Sequence, residues 1–163
     1  MLIACRTTIL RTALVVGLLL TAWPGHAFDI QKVASPSGIT AWLIEDHSNP
    51  VIAMEMIFDA GAANDPTDKE GLANLLASTL DEGAGELSST DFQSALSEKS
   101  ISLYFRAGTD RFRGIVSTLT ANSDTAFEML RLALHQPRFE AAAVDRIRAQ
   151  IMAKIRSDTQ QPQ

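Results

Sequence analysis

Asn74, Ala77 and Ser78 share one face of an amphipathic stretch that begins Gly71-Leu72-Ala73 and closes at Asp81-Glu82-Gly83. Residues at i, i+3 and i+4 of a helix project to the same side and can meet at a single point. Imidazoles and carboxylates at that spacing would hold a metal ion and a base. An amide, a methyl and a hydroxyl can do far less. Ser78 is the only nucleophile of the three. A serine needs a base in reach, and no local pattern of histidine, lysine and aspartate supplies one; Gly-x-Ser-x-Gly is also absent. Asp81 and Glu82 are adjacent, so their carboxylates leave a helix on different sides and read as the end of a solvated face. Gly83-Ala84-Gly85 lacks the Lys-Ser/Thr that a phosphate loop requires. His47 stands in a polar turn. His135 stands near a helix C-terminus, where a partly positive ring suits the dipole. The two are far apart in sequence, and neither has a metal-binding partner at helical spacing.

The chain around these residues has ordinary globular composition: 163 residues, 46% hydrophobic and 20% charged. That length suits one domain of ordinary size. A net charge of -5 with no Lys/Arg cluster argues against a nucleic-acid surface. Residues 1–27 read as an export signal. Arg6 and Arg11 precede the ten-residue apolar run 13–22, which is too short to span a bilayer, and Gly25-His26-Ala27 is a small-x-small cleavage site. Cleavage after Ala27 predicts an exported chain, in a bacterial periplasm or secreted, with no stable membrane anchor. It removes two arginines and no acid, taking the net charge from -5 to -7. It also removes Cys5, the only cysteine, and with it any disulfide, thiolate metal site or cysteine nucleophile.

The elements that must position the inert face follow from periodicity. Residues 30–33 and 39–44 read as short strands about a Pro36-Ser37-Gly38 turn. Residues 51–58 (VIAMEMIF) are almost continuously apolar and read as a central strand. A loop ends at Pro66. Thr67 and Glu70 then match a capping box for a helix whose apolar stripe is Leu72, Leu75, Leu76, Thr79 and Leu80. A second helix starts near Ser89-Thr90. Residues 101–107 and 112–120 alternate as a hairpin about Gly108-Thr109-Asp110. Asn122 or Ser123 caps a third helix, broken by Pro137. A fourth runs over about 140–156. The order is strands, two helices, a hairpin, two helices, which is an α+β fold.

The pieces Gly61-Ala62-Ala63-Asn64-Asp65-Pro66, Lys69-Glu70-Gly71-Leu72-Ala73, Leu80-Asp81-Glu82-Gly83 and Pro137-Arg138-Phe139 recur in that order and spacing in a known family. The chain resembles the pitrilysin/insulinase family of zinc metallopeptidases over about residues 30–163. The family's helix carries His-x-x-Glu-His. The resemblance implies a mainly antiparallel sheet packed against helices, incomplete at the C-terminus. Residues 28–163 would be the N-terminal part of such a peptidase domain, with the second domain absent. Laid on the family motif, the first histidine falls on Asn74, the general-base glutamate on Ala77 and the second histidine on Ser78. The third ligand, a glutamate on a later helix, falls on or beside Lys154.

All four positions depart from the motif. Tight zinc binding needs imidazole or anionic ligands, and zinc-assisted hydrolysis needs a carboxylate base. A lysine also repels a cation. The resemblance therefore implies no zinc, no other cofactor and no catalytic residue. It implies a zinc-less subunit that forms part of a substrate chamber, acts on peptides together with a zinc-bearing homologous partner, and is exported. The alternatives are a peptide-binding or assembly module without such a partner, and a residual metalloendopeptidase with unusual ligands.

Overall fold

The computed structural model describes residues 29–160. The proposed signal segment and its cleavage site lie outside these residues. The described chain forms two compact units, one ending at His47 and the other starting at Ser48.

The first unit is a hairpin. Strand β1 (Ile30–Ala34) pairs antiparallel with β2 (Thr40–Ile44), Ile30 opposite Ile44 and Ala34 opposite Thr40. The expected turn closes it: Gly38 donates to the Ser35 carbonyl at 3.0 Å, and Ser35 donates to the Ile39 carbonyl at 2.8 Å. Every strand residue is exposed, Trp42 to 70%.

The second unit holds the core. Its elements are β3 (Val51–Phe58), α1 (Leu72–Ala77), α2 (Ser89–Glu98), β4 (Ser102–Ala107), β5 (Phe112–Leu119), α3 (Ser123–His135) and α4 (Ala141–Gln160). The order and types match the α+β expectation. The sheet is antiparallel with strand order β3-β5-β4. Among the described residues, the apolar run 51–58 is therefore an edge strand of this sheet, and the central place belongs to β5. Val51, Ile57 and Phe58 stay largely exposed, whereas β5 alternates buried Phe112, Val116 and Thr118 with more exposed neighbours. Pairing on both sides is what makes β5 central, and that depends on contacts distant in sequence.

Helices cover one face of the sheet. Fully buried Phe92 and buried Leu96 of α2 join Ala126, Met129, Leu130 and Ala133 of α3 against Leu103 and Phe105 of β4 and Val116 of β5. The Phe105 and Phe112 rings lie 6.1 Å apart. Two expected caps fail. Asn122 does not cap α3; its side chain donates to the Lys99 carbonyl at 2.8 Å and ties α3 to the end of α2. The Thr67/Glu70 capping box does not form either, and α1 begins only at Leu72, after Gly71 turns with φ +92°.

Candidate functional site

The inert face is placed by a chain of local constraints. Gly61 follows β3 and sits so close to the β4–β5 turn that a Cβ there would lie 2.5 Å from the Thr109 carbonyl oxygen. Only glycine permits that approach. The loop is then stitched to the turn by Ala62 donating to Gly108 at 2.9 Å and Ala63 to Thr109 at 2.8 Å. This delivers Asp65 to the start of α1. Its carboxylate accepts from the Gly71 amide at 2.8 Å and the Ala73 amide at 2.9 Å. Two of the amides left unpaired at a helix start are thereby satisfied, by a residue outside the helix.

Helix α1 brings Asn74, Ala77 and Ser78 together, but not as a uniform surface. Asn74 is exposed. Ser78 is half-buried, and its hydroxyl donates to the Asn74 backbone carbonyl at 2.9 Å, the usual in-helix use of serine. Ala77 is 4% exposed and belongs to the core cluster. Of the three, only Ala77 is drawn into the core, on a helix that packs on β4. Lys154 lies on α4, which also contacts α1. Its ammonium is exposed and pairs with Asp158 at 3.3 Å, one turn along its own helix.

The end of the α1 segment also departs from expectation. Asp81 and Glu82 do not finish a solvated face. The Glu82 side chain is 13% exposed; it accepts from the Ser89 hydroxyl and from the Arg146 guanidinium, joining the start of α2 to α4. Asp81 is half-buried, and burial pushes its carboxyl pKa up to about 6, with the neighbouring Glu82 charge adding to the effect. Neither histidine joins these groups: His47 faces Glu45 at 3.5 Å, and His135 ends α3. Among the described residues, no three His, Cys, Asp or Glu side chains converge on a point that could hold a metal ion. The roles of Asp65 and Glu82 were missed because their partners lie beyond the short spacings that local signatures cover.

The antiparallel sheet packed against helices is the fold that the resemblance implied. The profile described as insulinase, peptidase family M16, matches residues 40–163. The chain belongs to the insulinase family. One curated relative of this insulinase-family chain, the non-peptidase homolog YmxG of Helicobacter pylori, is 29% identical over 111 residues, which cover 68% of this chain and 26% of that protein. Among solved structures, the peptidase M16 inactive domain from Pseudomonas fluorescens matches with a TM-score of 0.75 at 21% identity, over 82% of this chain and 33% of that one. Pitrilysin matches with a TM-score of 0.67 at 17% identity, over 80% of this chain and 14% of that one. This insulinase-family chain thus spans about a quarter of the length of the curated relative it matches, and a third or less of these two solved chains.

Proposed function

We propose that this chain is a non-catalytic insulinase-family subunit, without zinc, that lines a peptide-substrate chamber and binds a zinc-bearing homologous partner. The observation that carries the reading is Ala77. At the place where the resemblance puts the general base stands a methyl group packed in the core, flanked one turn away by an exposed amide and next door by a hydroxyl spent on its own helix. No proton can be moved there, and neither neighbour is a strong zinc ligand. Lys154, on or beside the expected third ligand, is a cation. The non-peptidase label of the Helicobacter relative and the inactive label of the Pseudomonas domain support the same reading. Export by cleavage after Ala27 is part of the proposal and accounts for a mature chain without cysteine.

The test is metal analysis and a reconstituted assay on the full-length protein. The expected result is no bound zinc and no peptidase activity alone, with increased activity when an active homologue is added. An Asn74→His, Ala77→Glu, Ser78→His, Lys154→Glu variant is expected to gain zinc. Stoichiometric zinc on the natural protein would overturn the reading. A quadruple variant that folds and still binds none would show that the four positions are misplaced. Failure to raise any partner's activity would leave the assembly-module alternative.

A further inference from the structure

The sheet face turned away from the helices carries an unbalanced cationic spot. Strand alternation places Glu55 and Ile57 of β3, Arg113 and Ile115 of β5, and Tyr104 and Arg106 of β4 on that side. Arg106 and Arg113 are directly opposite in register, so two guanidiniums leave neighbouring strands side by side. Like charges directly opposed are unfavourable. Glu55 answers one of them, 3.1 Å from Arg113. Arg106 lies 5.1 Å from the centroid of the Tyr104 ring and has no carboxylate partner among the described residues. A depression of about 490 Å³ lies here, lined by Glu55, Tyr104, Arg106, Arg113, Ile115 and Ala53. On a chain of net charge -5, an unneutralised guanidinium beside a second one is a local reversal of sign. An incoming carboxylate would relieve it, since guanidinium and carboxylate match as paired donors and acceptors.

We propose that this depression binds a carboxylate of an extended peptide, with Arg106 as the principal contact, Arg113 as the second, and Ile115 receiving an apolar side chain. The choice of a peptide over a small organic acid rests on the proposed function; the carboxylate rests on the charges.

The probe is a hexapeptide, Ser-Val-Thr-Leu-Ser-Asp, labelled at its N-terminus with an uncharged boron-dipyrromethene dye and followed by fluorescence anisotropy with the full-length protein. Saturable binding is expected, weakened at least tenfold in Arg106→Gln. Arg131→Gln, which alters only an exposed pair with Glu128 on α3, should bind as the natural protein does. Among the described residues Arg106 makes no ion pair and contacts the exposed side of the sheet through the Tyr104 ring, so its variant should melt within a few degrees of the natural protein, which checks that the fold is kept. A neutral peptide ending in an Asn amide should bind at least tenfold more weakly; the Asp amide and the free-acid Asn peptides then show whether the side-chain or the terminal carboxylate is read. No binding, equal binding by Arg106→Gln, or equal binding by the neutral peptide overturns the proposal. Glutarate binding as tightly as the hexapeptide overturns its peptide part. The proposed function fails on other readouts, bound zinc or an unaffected partner, and neither would alter this result.

Discussion

Ala77 and Asp81 show how differently two positions on one short segment respond to their surroundings. A carboxylate introduced at Ala77 enters a site that is 4% exposed. Without a metal to answer its charge, Ala77→Glu is expected to lower unfolding stability by on the order of 3 kcal/mol. Asn74→His, at an exposed position, should stay within about 0.5 kcal/mol. Denaturant unfolding of the two single variants checks the contrast. Asp81 carries the opposite problem, a carboxylate already half-buried with its pKa raised to about 6 from 3.8. Its charged form is disfavoured in the folded state. The resulting penalty is absent below about pH 4, where folded and unfolded states are both protonated, grows between about 4 and 6, and is complete above that. Asp81→Asn should therefore stabilise the protein at pH 7 by on the order of 1 kcal/mol, given solvent screening, and lose that advantage near pH 4. A stability gain that is the same at both pH values would show that the carboxylate is not the cause.

Helix α1 is held in place from outside itself. Six residues are too few for a stable isolated helix, so its start depends on Asp65 and its buried side on β4. Asp65→Ala is expected to cost about 1–2 kcal/mol, because two helix-start amides lose their acceptor. Thr67→Ala should cost less than about 0.5 kcal/mol, since the capping box that its sequence position suggests does not form. Thermal unfolding of the pair separates the two capping schemes. The periodic parts of the elements were legible: the hairpin turn at Gly38, helix α2 starting after Ser88, and the alternation of β4 and β5 all follow from local pattern. The cap on α1 was not, because a capping box is recognised at fixed three-residue spacing and Asp65 acts from six and eight residues away.

At the scale of the whole molecule, the two units differ in how much holds them. The β1–β2 hairpin exposes all of its strand residues, and a two-stranded hairpin is marginal in water. Strand β5 is hydrogen-bonded on both sides and backed by α3. Hydrogen exchange on the full-length protein should show amides of β1 and β2 exchanging much faster than those of β5. Equal protection would mean that another part of the protein, or a partner, covers the hairpin.

Family membership, the α+β class and the chemical poverty of Asn74, Ala77, Ser78 and Lys154 were determined by the sequence alone, since residue types and their spacing along the chain survive without any knowledge of contacts. The tertiary structure decided what depends on distant neighbours. Among the described residues it put VIAMEMIF at the edge of the sheet because β5 takes the central place, buried Ala77 because β4 lies under α1, and drew Glu82 inward because Arg146, 64 residues away, closes on it. It also set Arg106 against Arg113, a juxtaposition that arises only once β4 and β5 are in register.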